Sequence, residues 1–144
     1  MAITSAICNS FKVEILTATH NFTASSGNTF NLALYTSSAT LNKSTTVYIT
    51  ANEVATATGY TAKGKALTSV TPVLSTDTAV CDFANVSWTS ASFTSRGCLI
   101  FNDSAASDQS VCSIDFGGDK TVTSGTFTIE FPAASAGSAI IGIA

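Results

Sequence analysis

The chain reads as an all-β protein: a single domain over 1–144 built as an antiparallel β-sandwich of about eight strands, with an N-terminal segment, 1–24, that forms a short helix or an arm. Three observations lead there. Apolar and polar residues alternate over short runs, most purely in Thr126–Phe131. Turn-forming clusters of Gly, Ser, Asn and Asp recur about every ten residues. Around Cys98, Leu99, Ile100 and Phe101 both parities are apolar, as in a strand covered on both faces.

Ile7, Phe11, Ile15 and Ala18 recur at helical spacing, with Asn9 or Ser10 placed to cap the turn. The same residues also permit a strand over Phe11–Leu16. After the turn chemistry of Ser25-Ser-Gly-Asn28, Thr29–Thr36 is a strand with Phe30, Leu32 and Leu34 inward and Asn31, Ala33 and Tyr35 opposite. Ser37–Ser44 is a polar connection. Thr45–Thr50 carries strand-like residues, while Thr50-Ala-Asn-Glu-Val54 permits a helical turn instead. Gly59–Gly64 is a loop whose glycines allow positive φ, with Tyr60 lying over the sandwich. Strands follow at Lys65–Thr71, where Pro72 ends the ladder or marks an edge, and at Thr78–Phe83, with Ala79, Cys81 and Phe83 on one face.

Val86–Asn102 holds the single Trp and the single Arg of the chain. It reads as two strands, or one bent strand with Trp88 near the corner, at the centre of a sheet. Its second run places Phe93, Gly97, Leu99 and Phe101 on one face. Trp88, Phe93, Leu99 and Phe101, together with Phe127, Ile129 and Phe131, are the expected core anchors. Asp103–Asp108 reads as a mobile tip. Val111–Phe116 is a strand with Cys112, Ile114 and Phe116 on one side, and Gly117-Gly118 suits a tight hairpin turn. Ala139–Ala144 is an apolar strand, paired into the sheet or inserted into a neighbour, because such an end is not left in water.

Hydrophobic residues make up 45% of the chain and charged residues 10%, against about 25% charged in an average soluble protein. Neutral Ser and Thr hydroxyls supply the missing polarity, and such surfaces repel their copies little, which favours an assembly subunit. A net charge of -3 with six scattered Lys and Arg argues against nucleic acid. No run approaches the roughly 20 apolar residues of a membrane span. The start lacks the basic and apolar regions of a signal peptide, so a chain made and kept in cytosol is expected. Cys8, Cys81, Cys98 and Cys112 lack metal-ligand spacing and are expected as buried thiols. The sequons at Asn21, Asn42, Asn85 and Asn102 carry little weight without a secretory route.

Catalytic chemistry finds no footing. His20, the one imidazole, has no motif around it and reads as structural. Asp82, Asp115 and Glu130 read as solvated charges. Asp103 with Asp108, or Asp115 with Asp119, lacks the dense ligand spacing of a calcium loop. No catalytic residue, cofactor site or metal site is expected. Arg96 enters an otherwise apolar strand and so needs a carboxylate: Asp82 or Asp115 within the chain, or a group on a neighbouring subunit. Trp88 is either core or a ligand-stacking surface.

Several ordered motifs carry a resemblance. They are Leu32-Ala-Leu-Tyr-Thr-Ser-Ser-Ala-Thr-Leu41, Asn52-Glu-Val with Gly59-Tyr-Thr-Ala-Lys-Gly-Lys-Ala-Leu67, and Asp82-Phe and Trp88 leading to Thr94-Ser-Arg-Gly-Cys-Leu-Ile-Phe-Asn102. Asp115-Phe-Gly with Val122-Thr-Ser-Gly-Thr-Phe-Thr-Ile-Glu-Phe-Pro132 completes the set. Together, over Phe11–Ala144, the chain resembles a family of small structural proteins in tailed bacteriophage virions. The resemblance implies a noncatalytic virion component on the capsid surface: a decoration, or cement, protein that binds the major capsid protein and copies of itself as a homodimer or homotrimer. The alternative is a tail or fibre module that recognises host glycans through Tyr35, Tyr48, Tyr60 or Trp88.

Overall fold

Among the described residues, short alternating runs condense into eight strands and one helix: β1 (Ala6–Ile7), α1 (Asn9–Leu16), β2 (Phe30–Tyr35), β3 (Lys65–Ala66), β4 (Ser69–Ser75), β5 (Thr78–Phe83), β6 (Val86–Asn102), β7 (Ser110–Ile129) and β8 (Ile141–Ile143). The computed structural model describes residues 2–57 and 59–144. All strand pairs are antiparallel, in a five-stranded sheet ordered β1-β7-β6-β2-β3 and a three-stranded sheet ordered β4-β5-β8. The chain is an all-β, sandwich-like protein.

One face of the larger sheet meets the smaller sheet and α1. Phe30, Leu32, Leu34, Trp88, Cys98 and Ile100 there pack with Phe11, Phe83 and Ile141. The opposite face buries Ala33, Tyr35, Leu99 and Phe101 beneath Ile3, Ala39 and Leu41 from the N-terminal segment and the long connection between β2 and β3. Doubly apolar parity in Cys98–Phe101 has this cause: both faces of the sheet are covered, and β6 lies between β2 and β7.

β6 is one bent strand. Its register with β7 slips between Trp88 and Ala91, between Ala91 and Phe93, and again between Ser95 and Gly97. At the first slip the extra residue lies on β6 and reverses its alternation, so Phe93 joins the core of Trp88; at the next two the extra residues lie on β7, and beyond Arg96 Leu99 and Phe101 face the other way. The expectation of one shared face for Phe93, Leu99 and Phe101 is therefore corrected. Of the expected anchors, Trp88, Leu99 and Phe101 are buried, whereas Phe93, Phe127, Ile129 and Phe131 are half-buried.

Gly117-Gly118 makes no hairpin. β7 runs straight through it, and Phe116–Asp119 bulge opposite the single residue Arg96, between the pairs Ser95↔Lys120 and Gly97↔Asp115. Gly117 supplies the left-handed conformation this bulge needs, at φ 76°. Lys65–Thr71 is likewise not one strand: the chain leaves β2 after Ala66 and joins β5 from Ser69. Pro72 falls at a bulge between Val70 and Val73 in β4, an edge strand, where its missing N–H costs no ladder bond. On β5, Phe83 packs in the core with Cys81 partly buried against it, but Ala79 is exposed.

The N-terminal segment resolves as the helix, because Phe11 and Ile15 pack on the core together with Ile7. Neither Asn9 nor Ser10 caps it. Cys8 occupies the N-cap without a side-chain bond, and Asn9 already lies in the helix, accepting a bond from Lys12 Nζ at 3.2 Å. Thr45–Thr50 forms no strand. Val47 makes an isolated bridge to Gln109, and Glu53 N donates to Thr50 O at 3.3 Å in the turn. The apolar C-terminus pairs with β5, burying Ile141.

Candidate functional site

The polar side chains that attract chemical suspicion are occupied with one another. His20 is buried, with Nε2 2.8 Å from Glu14 Oε2 and Nδ1 3.1 Å from Asn102 Nδ2. Asn102 is fully buried. Asp82, also buried, accepts a bond from the Phe83 amide at 2.8 Å. Arg96 Nε donates to Asp115 Oδ1 at 2.8 Å, and the same oxygen accepts the Gly117 amide at 3.0 Å. Arg96 first, then the Gly117 amide, hold the Asp115 carboxyl below the usual carboxylate range. Arg96 thus pairs within its own chain and braces the β7 bulge.

A second network, centred on Glu53, has no counterpart in the sequence reading. Tyr60 Oη and the Lys63 amide donate to Glu53 Oε1 at 2.7 and 2.8 Å, while Tyr48 Oη donates to Glu53 Oε2 at 2.5 Å. Tyr60 Oη in turn accepts the Leu34 amide of β2 at 2.9 Å. Lys63 Nζ lies 2.9 Å from both Asp103 Oδ1 and Asp108 Oδ2, and these carboxylates hold its ammonium above the ordinary lysine range. Asp103–Asp108 is therefore a tethered tip, and its two carboxylates are already matched to a cation. The network clamps the long β2–β3 connection to the sheet. The one signal for it in the sequence is a lone carboxylate, Glu53, among apolar and hydroxyl residues.

The expected aromatic platform is not assembled. Tyr35, Tyr60 and Trp88 are buried, and Tyr48 stacks on Phe101 at 4.8 Å. The thiols of Cys8, Cys81, Cys98 and Cys112 are unpaired, and burial raises the pKa of each, that of Cys112 to about 12. They are poor nucleophiles.

Besides the outer sides of β3, β4 and β8, one side of β7 stands open. β1 pairs with it only at Cys112 and Ser113, so from Ile114 to Ile129 its ladder is made with β6 alone. Along this free edge runs a groove of about 500 Å³ floored by Ile114, Phe116, Phe127, Ile129, Phe131 and Ile140, with Lys120 and Glu130 also bordering it. The floor exists because the three-stranded sheet is narrower than the five-stranded one and leaves these side chains half-covered. An unpaired ladder beside an apolar groove can bind an extended chain through main-chain bonds and side-chain pockets together. No protein-family model, curated protein or solved structure matches this chain.

Proposed function

We propose that this chain is a noncatalytic structural subunit that docks on a protein assembly, as the capsid decoration protein of a tailed-phage head that binds the major capsid protein. The observation that carries the proposal is the free edge of β7 beside its apolar groove. Supporting it, His20, Arg96, Glu53 and Lys63 are each engaged within the chain. The motif resemblance to small virion proteins supplies the choice of assembly. On a closed lattice many identical modest contacts add through avidity, so one groove per subunit is enough for stable attachment. Low charge lets neighbouring copies sit close.

The test is to image finished particles and count the subunit by quantitative mass spectrometry. A copy number matching the capsid lattice, together with heads that assemble without the subunit but burst more readily on heating or at low salt, is the expected result. Absence of the chain from finished particles, or turnover of a substrate by the purified protein, would overturn the proposal.

A further inference from the structure

We infer that His20 is a proton-operated latch: uptake of a proton at Nδ1 breaks its contact with Asn102 and loosens residues 14–21, the end of α1 and the turn after it, from the end of β6. The device is independent of what the β7 edge binds. Histidine is the side chain that ordinarily changes charge between about pH 5 and 8, and the chain has one. Its ring is fully buried. Phe11 of α1, Phe22 and Phe30 of β2 surround it, with centroids at 5.0, 6.3 and 6.2 Å. Glu14 of α1 faces Nε2 at 2.8 Å, and Asn102 of β6 faces Nδ1 at 3.1 Å. Among the described residues Glu14 is the one charged group paired with the ring; Asp103, next to Asn102 in the chain, is held by Lys63.

The two sides of the ring answer a proton in opposite ways. Asn102 Nδ2 carries hydrogens and accepts none, and it is fixed towards Nδ1. Asn102 Oδ1 takes the Ser104 amide at 3.0 Å, while Asn28 Oδ1, 3.1 Å from Nδ2, is itself set as an acceptor by the Asn21 amide at 2.7 Å. A proton on Nδ1 therefore meets a donor that cannot turn round, and a buried donor without a partner is costly. Glu14, 20% exposed, instead gains an ion pair with the imidazolium. The charged ring keeps Glu14 and leaves Asn102, so the parting falls between the end of α1 and β6. That end yields readily. α1 is eight residues long, with no side-chain cap, no acid in its first turn and no base in its last, so it stays formed through its tertiary contacts. Phe22, stacked on Phe30 at 4.3 Å, anchors the chain beyond and confines the opening.

The test is hydrogen exchange by NMR on the intact protein between about pH 8 and pH 5, as protection factors corrected for the intrinsic pH dependence, alongside the Cε1 proton shift of His20. Protection of the Ala18, Thr19 and Asn21 amides is expected to fall roughly tenfold as His20 titrates, the loss of about one buried hydrogen bond. The Leu34 amide of β2, which donates to Tyr60 Oη, should not change. Glu14→Gln keeps an acceptor for Nε2–H but removes the anion, and should move the His20 midpoint and the loss of protection together to lower pH. His20→Gln should abolish the pH dependence. Constant protection while His20 titrates, an imidazole still neutral at pH 5, or the same acid loss in His20→Gln would overturn the inference. Should His20→Gln not fold, Glu14→Gln decides: a loss of protection at the parental pH would overturn it equally.

Discussion

Nδ1 of His20 faces Nδ2 of Asn102 at 3.1 Å, and the neighbours of Asn102 determine which of the two donates. Asn102 Oδ1 accepts the Ser104 amide at 3.0 Å, while Nδ2 lies 3.2 Å from Thr19 O and 3.1 Å from Asn28 Oδ1. The amide cannot be flipped without losing these bonds. Nδ1 of His20 is therefore the acceptor, and Nε2–H donates to Glu14.

Nitrogen NMR of the folded protein at neutral pH should accordingly find His20 with its proton on Nε2. Asn102→Ala strands the buried His20 Nδ1 and removes the bonds to Thr19, Asn28 and Ser104, and should destabilise the protein by about 3 kcal/mol in denaturant melts. A proton on Nδ1, or a variant as stable as the parent, would contradict the arrangement.

Trp88 sits where β6 bends, 4% exposed, with ring centroids 6.2 Å from Tyr60 and 6.1 Å from Phe127. Removing so large a buried side chain should cost about 3 to 5 kcal/mol. Thermal melts of Trp88→Ala provide the check, and an unchanged melting temperature would place the indole outside the core.

Much of this fold was legible because alternation and burial are local. Phe30–Tyr35 and the central place of Val86–Asn102 follow from side-chain parity alone, whereas Thr78–Phe83 is legible as a strand but not in its facing: Val80 and Asp82 are buried with Phe83, and Ala79 is exposed. Parity fails where a strand carries an extra residue. Nothing in Phe93–Phe101 announces that Arg96 stands opposite four residues of β7, so parity alone wrongly groups Phe93 with Leu99 and Phe101. Gly117-Gly118 has hairpin composition, but its turn is absorbed as a bulge because the flanking strands already have a partner in β6. Tertiary pairing, invisible to a local window, decided both. The Glu53 network was equally hidden: its members lie between Tyr48 and Asp108, and only the folded connection brings them together. The β7 groove is hidden in the sequence for a related reason. The alternation of Phe127, Ile129 and Phe131 is visible, whereas the width of the opposing sheet is not.

Two glycines separate a required glycine from an incidental one. A Cβ on Gly64, at φ 67°, would overlap the Leu32 carbonyl of β2, whereas Gly118 has nothing within 4 Å of its Cβ position. Gly64→Ala should yield little soluble protein, because backbone rather than a flexible side chain blocks the added methyl. Gly118→Ala should express and melt like the parent, within about 0.5 kcal/mol. Comparable behaviour of the two variants would show that the loop after Tyr60 is not pressed against β2.

The three tyrosines link stability to alkaline pH. Tyr35 Oη donates to Ile49 O at 2.6 Å, and Tyr48 and Tyr60 share Glu53. Burial is the largest cause raising each phenol; Glu53 adds to the effect in all three, and Tyr48 is pushed up to about 12. An unfolded tyrosine ionises near pH 10. The folded state therefore keeps protons that the unfolded state releases, so the stability they contribute is full below about pH 10 and falls as pH rises through the raised values. Phenolate absorbance should stay low in the native protein just above pH 10 and appear together with loss of β-structure by circular dichroism. Glu53→Gln removes the anion beside Tyr48 and should bring its ionisation to lower pH while the fold persists. Phenolate growing in at pH 10 with the circular dichroism unchanged would mean that the tyrosine network is open to solvent.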